Sequence, residues 1–514
     1  MQITNTFRNG AFPPSQGGGA PTPDVAGQIR KQRRYHNLIH LRRTLGLWWY
    51  RILLILLVSY LAGQLGTILA PLILTNPKLL IVVVGIVPAV VLVYWIVKRV
   101  EFGLLVTAVS ATAFFPTILS IKSLSLAPSP LLLLLLFSVV LVVSAFHARK
   151  PVWPSFYALW PVLGLIVLAF VSQIMVQFTW THVVPRKLNN NPIYYDEIFG
   201  VGLFFFPFII LTTTTACLTN RDKWIEYIKW AYMGTAVLAA AIIIVKFKSI
   251  GADLYTFRFS TPMIGWMSLR ALAQLMALGA MLGYAHFLYA KTGRMRLLYA
   301  AITGICLLGV YLSLENSWWL EVGLAFIVMT VVYSRRLFLF CCLGVLPLLP
   351  LLKAELVKLQ QVKSADSYRL IIWKDALRVW SKQPIFGVGP GNFWPYDQHF
   401  TQLPLLLRDC NKTGLCVAHN GYLQMLGELG PLGVFFYLSF IVVMIVISVR
   451  LIRGSRVQEK RTSGLLAWLG LKMYYDSDEL RDRILGMVSL GLICGSAVAD
   501  FFAGSFFLQP RQIG

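Results

Sequence analysis

Residues 131–143 read LLLLLLFSVVLVV, a run with no charge and no alternation. A transmembrane β-strand alternates lipid-facing and lumen-facing residues over about 10 positions, and this run does not. The only other backbone that satisfies its own hydrogen bonds in hydrocarbon is the α-helix. Comparable apolar runs recur from residue 52 almost to the C-terminus, and those of about 18 residues or more are long enough to cross a hydrocarbon core of ~30 Å.

The composition agrees. Of 514 residues, 57% are hydrophobic and 13% charged, with a mean hydropathy of +0.69, whereas a soluble domain carries about a quarter charged residues. A soluble protein is excluded. The net charge of +25, from 46 Lys and Arg against 21 Asp and Glu, does not point to nucleic acid, because the basic residues lie between the apolar runs. That distribution follows from retention of Lys and Arg in cytoplasmic loops. The expected partner is the membrane, and no nucleic acid.

Hydropathy predicts thirteen spans, near 52–73, 79–97, 102–119, 130–146, 156–178, 197–217, 225–245, 264–290, 297–314, 317–333, 337–352, 420–449 and 484–507. The fold class is an all-α polytopic membrane protein of about 13 helices (12–14), with one large extracytoplasmic loop carrying amphipathic helices. Residues 1–50, rich in Pro and Gly and ending in a basic stretch, read as a flexible cytoplasmic tail. Residues 51–352 hold the first eleven spans, 353–418 the large loop, and 419–514 the last two spans with a basic connection over 450–483. With the tail inside, five short inside loops hold eleven Lys and Arg in 29 residues, and the corresponding outside loops hold seven in 53. The inside density is nearly three times the outside one, which sets the orientation. The large loop is then extracytoplasmic.

Five of the seven cysteines, Cys217, Cys306, Cys341, Cys342 and Cys494, fall in or at the ends of spans and read as small buried apolar residues. Cys410 and Cys416 share the exported loop, where a disulfide is the better reading. Neither CxxC nor HExxH occurs, so no metal or other cofactor is expected.

Within the loop, Ser364–Lys382 reads as an amphipathic helix with Arg369, Trp373, Ala376 and Trp380 on one face and Lys374, Asp375 and Lys382 elsewhere. Pro384 ends it. Gly387, Gly389 and Gly391 follow, a backbone able to bend sharply and approach a ligand. With no strand before it, this stretch is not a dinucleotide fingerprint. Ala418-His419-Asn420-Gly421-Tyr422-Leu423 then leads through Glu428, Gly430 and Gly433 into a span, placing His419 at the outer membrane surface. Glu428, nine residues on and on the far side of the helix, packs within the bundle. Asp500, Glu315 and Glu321, in or near spans, read as structural ion pairs first.

The order Arg369, Trp373, Pro384, Gly387, Gly389, Gly391, Phe393, His419, Asn420, Tyr422, Leu423, Glu428, Gly430 and Gly433 resembles the shared domain of the O-antigen ligase and O-antigen polymerase superfamily, over about residues 364–433. The resemblance implies a metal-independent membrane glycosyltransferase in the bacterial inner membrane. Such an enzyme transfers a glycan from an undecaprenyl diphosphate-linked donor to a lipid, glycan or protein hydroxyl acceptor. By the same resemblance Arg369 and Arg258 are the guanidiniums that stabilise the leaving diphosphate, with Arg270 the alternative occupant of the second arginine position. His419 is the general base, its place at a helix start disfavouring the imidazolium. Trp373, Gly387, Gly389, Gly391, Asn420 and Tyr422 are substrate-binding candidates. Where many relatives have Ser-Arg at the start of a span, this chain has Leu314-Glu315-Asn316-Ser317-Trp318-Trp319-Leu320, without the arginine. A polymerase of O-antigen or exopolysaccharide is the alternative within the enzyme class. A solute or bicarbonate transporter is the alternative outside it, and would show paired broken helices in two related halves.

Overall fold

The computed structural model describes residues 94–110, 119–121, 124–126, 128–146, 153–180, 187–188, 191–192, 194–218, 222–251, 257, 263–264, 267–345, 366–393, 418–455, 457, 459–460, 471–475 and 477–503. The chain divides into two compact units, residues 1–87 with 141–150 and residues 88–140 with 151–514. The packed clusters below belong to the second.

The helices among the described residues are α1 (Val100–Ser110), α2 (Pro128–Phe146), α3 (Phe156–Trp180), α4 (Tyr194–Leu218), α5 (Asp222–Ile250), α6 (Leu269–Leu288), α7 (Gly293–Ser313), α8 (Asn316–Tyr333), α9 (Arg335–Val345), α10 (Asp366–Lys382), α11 (Gly421–Gly454) and α12 (Asp478–Ala503). Among the described residues six segments are long and apolar enough to cross a membrane: Phe156–Val176, Lys223–Ile250, Leu269–Leu288, Gly293–Ser313, Gly421–Gly454 and Asp478–Phe501. Short antiparallel strand pairs also occur among them, for example Met263–Ile264 with Met267–Ser268 and Glu459–Lys460 with Met473–Tyr474.

Most expected spans fall on these helices, and three details differ. Leu119 and Ile264, assigned to spans by hydropathy, belong to hairpins. Lys246 and Lys248, counted in an outside loop, are in the last turns of α5. Cys341 and Cys342 are exposed, whereas Cys217 and Cys306 are buried as expected, because α9 turns that face away from the bundle. The span expected at 52–73, nearly all of that at 79–97 and the Cys410–Cys416 pairing lie outside the described residues.

The break in the long apolar stretch 297–333 has a local cause. Leu314 adopts a left-handed conformation (φ 50°) that ends α7, and Glu315 is the extended residue before α8. Polar caps define other starts: Ser268 Oγ accepts from the Ala271 N–H at 3.1 Å, and Thr292 Oγ1 from the Met295 N–H at 3.2 Å.

The largest core joins α5, α6, α7, α8 and α12. Small residues let these helices approach closely, as membrane helices require. A Cβ on Gly279 of α6 would fall 2.3 Å from Ala236 Cβ of α5. A second cluster packs α3 and α4 on α11 through Val162, Leu165, Ala169, Phe204, Met425 and Tyr437. A third, of Val176, Ile372, Ala376, Val379, Val388, Phe393 and Ala418, seats α10 and the glycine-rich loop against the C-terminal part of α3 and the residue before His419.

Candidate active site

The site is organised by a defect in α11. Gly430 has φ 69° and ψ −168°, outside the helical region, and Pro431 follows. A proline has no N–H to give the carbonyl four residues earlier, so the Gly427 carbonyl is released from the helix, and the non-helical Gly430 releases its neighbour. The glycine loop supplies what the helix cannot. Val388 donates its N–H to Gly427 O and Gly389 to Glu428 O, both at 2.9 Å. From α3, the Ser172 hydroxyl lies 2.6 Å from Phe386 O and 3.1 Å from Glu428 O.

The glycines are required by this contact. Gly387, Gly389 and Gly391 all have positive φ, and a Cβ on Gly387 would stand 2.3 Å from the carbonyl carbon of Glu428. Glycine is the residue that tolerates both conditions. Read from the sequence as backbone for approaching a ligand, Gly387 and Gly389 approach α11 itself. Asn392 is buried, its Nδ2 3.4 Å from Gln173 Oε1.

The chain re-enters α11 through His419, whose φ of 51° is left-handed. Asn420 caps the helix, its Oδ1 accepting from Leu423 N–H at 3.0 Å. Just before His419, the Ala418 N–H donates to Gln424 Oε1 at 2.8 Å, and Gln424 Nε2 donates to Glu428 Oε1 at 2.7 Å. Glu428 is buried, as expected, and its carboxyl faces the backbone N–H groups of Gly391 and Phe393, although Oε2 makes no well-formed hydrogen bond. The residues on either side of His419 and the glycine loop are thus tied to one turn of α11.

The end of α12 closes the site from beside it. Tyr422 donates its hydroxyl to Ala497 O at 2.6 Å, and Tyr437 donates to Asp500. Asp500 is buried, and a Cβ on Gly421 would lie 2.8 Å from its Oδ2. Trp373 of α10 meets Phe501 edge-on at 5.6 Å between ring centres, its Nε1 buried without a partner. His419, Asn420, Tyr422, Trp373 and the three glycines are therefore gathered by α10, the loop and the α11–α12 pair.

The arginines are placed less completely. Arg369 is in the first turn of α10, one turn before Trp373. Arg270 is in the first turn of α6, half-buried. Arg258 lies outside the described residues.

Two expectations need correction. The buried stripe of α10 is Ile372, Asp375, Ala376 and Val379, so Asp375 faces inward where the sequence set it elsewhere. Its position is tolerable because Arg378 donates to it at 3.1 Å. Burial raises the Asp375 pKa, and Arg378 opposes that rise. Glu321 takes no cation among the described residues; its Oε1 accepts from the Ser496 hydroxyl at 2.9 Å, an expectation of an ion pair replaced by a neutral donor. His419 directly precedes the Asn420 cap, at the helix start where the sequence set it. The sequence reading missed Ser172, Gln173 and Gln424. A Gln four residues before Glu428 on one helix is a detectable i,i+4 pair, whereas nothing local in α3 marks Ser172.

Among the described residues no group of three or more His, Cys, Asp and Glu side chains converges on a metal position. What the arrangement offers is a histidine on a braced turn, directly before the Asn420 cap of α11.

A helical chain with six helices of membrane-crossing length is a multi-pass membrane protein. Residues 264–438 match the family model described as O-antigen ligase, over the half of the chain in which the sequence carries the resemblance. The match takes in α6 to α10, the glycine loop, His419 and the kink of α11. Among curated proteins none matches the chain.

Proposed function

We propose that the protein is a glycosyltransferase of the O-antigen ligase type, acting at the outer face of the bacterial inner membrane. The donor is a glycan on undecaprenyl diphosphate and the acceptor a hydroxyl. The observation that carries this reading is His419 held between Ala418 and the Asn420 cap, with the glycine loop docked on the same helix, inside the matched domain.

In this reading the acceptor O–H gives its proton to the neutral imidazole of His419 as the acceptor oxygen bonds to the anomeric carbon. The bond from that carbon to the phosphate oxygen breaks, and undecaprenyl diphosphate leaves with the electron pair. Negative charge grows on the diphosphate, and Arg369 and Arg258, or Arg270 in place of Arg258, answer it with guanidinium forks. Trp373 and Tyr422 offer aromatic faces beside His419 for the glycan. The tail and residues 450–483 are cytoplasmic, and 353–417 lies outside.

The test is transfer by purified protein from an undecaprenyl diphosphate-linked glycan in the presence of a chelator. Transfer that persists supports the assignment. Loss on chelation, restored by a divalent cation, overturns metal independence, and no transfer to any hydroxyl acceptor overturns the ligase reading.

A further inference from the structure

A histidine with φ 51° occupies a region that residues with a Cβ enter at a cost of roughly 1–3 kcal/mol and keep only when their surroundings over-determine them. On its C-terminal side the surroundings are the Asn420 cap. On its N-terminal side the described residues supply the side chain of Gln424. Ala418 is fully buried, and its N–H finds its acceptor in Gln424 Oε1 at 2.8 Å. The other end of that amide donates to Glu428 at 2.7 Å, and Glu428 in turn faces the N–H groups of Gly391 and Phe393. Gln424 is 6% exposed and uses one end as acceptor and the other as donor, so its amide has one satisfactory orientation.

The structure assigns Gln424 as a positioning residue that couples the glycine loop, seated on the α11 kink, to the backbone at His419. The assignment rests on the reading of His419 as the base toward the acceptor. Two buried hydrogen bonds in series hold the strained turn in register with Gly387–Phe393, so the imidazole and the loop keep one mutual geometry. A side chain that merely filled the space would do neither, and would leave the Ala418 N–H buried and unpaired. Misplacing a catalytic group by a fraction of its reach lowers the rate at saturation without removing contacts to substrate.

The experiment compares purified full-length wild type with Gln424→Met, with Gln424→Glu, with the exchange of Gln424→Glu and Glu428→Gln together, and with His419→Ala, using an undecaprenyl diphosphate-linked glycan as donor. Methionine keeps the approximate volume and loses both hydrogen bonds. The saturated rate is expected to fall roughly 10- to 100-fold, with donor KM within about twofold of wild type. Gln424→Glu alone sets two carboxyls against each other and is expected to be slow as well. The exchange restores the ladder, since a carboxylate at 424 accepts from both the Ala418 N–H and an amide at 428, and recovery of most of the lost rate is expected. A Gln424→Met protein with the wild-type saturated rate overturns the assignment, as does an exchange variant no faster than Gln424→Glu. If the methionine variant does not fold, the last comparison decides alone. Wild-type saturated transfer by His419→Ala overturns the base reading itself, whereas an inactive His419→Ala beside fully active Gln424 variants overturns only the role of Gln424.

Discussion

The two ends of the helix bundle bury opposite chemistry. Where α11 begins and α12 ends, the buried polar groups are carboxyls and amides: Asn392, Asn420, Gln424, Glu428 and Asp500. Where α6 ends and α7 and α12 begin, the polar groups are guanidiniums and phenols, Arg296 and Tyr289 buried and Arg483 and Tyr333 half-buried. Arg296 donates to Phe287 O at 3.3 Å and to Lys472 O at 2.5 Å, Arg483 donates to the Tyr289 hydroxyl at 3.2 Å, and Tyr333 accepts from the Lys472 N–H at 2.9 Å. The arginine end ties the 471–474 segment down to the bundle. The acid and amide end ties together the two residues that flank His419. Hydrogen bonds therefore brace a connection at one end and, in the proposed reading, orient His419 at the other, and substitutions should separate the two roles.

The largest separation is expected at His419. His419→Ala should leave the fold and donor binding intact while slowing saturated transfer by about 10² to 10⁴, the usual worth of a positioned base. Donor affinity and single-turnover rate on one preparation check this, and a loss confined to affinity would move His419 to the diphosphate.

Next is Arg369→Lys, where a point ammonium replaces a fork. A fall in transfer of at least about tenfold is expected, with thermal stability unchanged because Lys is as good a helix former as Arg. Near-normal turnover would make the arginine structural.

Gly387→Ala tests the seat of the loop. A Cβ at 2.3 Å from the Glu428 backbone in a φ 67° conformation is expected to destabilise the protein by roughly 2–4 kcal/mol or to unseat the loop with loss of transfer. Unaltered melting together with unaltered transfer would break the account of the docked loop.

At the opposite end, Arg296→Met should cost about 1–3 kcal/mol of stability through two carbonyls left without donors, with the saturated transfer rate of the folded protein preserved. A large rate loss at unchanged stability would erase the contrast between the ends.

The smallest effect is expected at Asp375. Its folded pKa is raised, chiefly by burial with Arg378 opposing, so the folded state favours the protonated form. The stability this contributes is present below the unfolded carboxyl pKa and lost as pH rises through the folded one. Asp375→Asn should therefore gain stability slightly at neutral pH, by under about 1 kcal/mol, and show a flatter pH dependence between weakly acidic and neutral conditions. Differential scanning across that range reads it.

Much of this was legible in the chain because it is written at short range. The end of α7 at Leu314 and the start of α8 follow from Glu315-Asn316-Ser317 interrupting an apolar run. The start of α11 follows from His419-Asn420 before it, since Asn is a strong cap, and the end of α10 from Pro384 shortly after it. The order of Arg369, the glycines and His419 was enough to anticipate the family domain, although the match begins a hundred residues earlier, at 264. Asp375 was misplaced because hydropathy assigns a carboxylate to solvent, and its inward position depends on a neighbouring arginine and on what α10 packs against. The glycines were read for a ligand because their conformation is visible in sequence and their partner is not.

By itself the sequence determined a helical membrane chain, the position of many helices among the described residues, the amphipathic helix before the glycine loop, and the residue types available for acid–base and anion chemistry. Periodicity, caps and breakers act within a turn or two, so they survive in a linear reading. Only the tertiary structure decided that the loop glycines seat on the carbonyls freed by Gly430 and Pro431. It also decided that Ser172, 214 residues from Phe386 and 256 from Glu428, closes that joint, and that Gln424 links it to His419. Those contacts depend on where separate helices cross, which is set by the summed packing of the bundle and by no local stretch of chain.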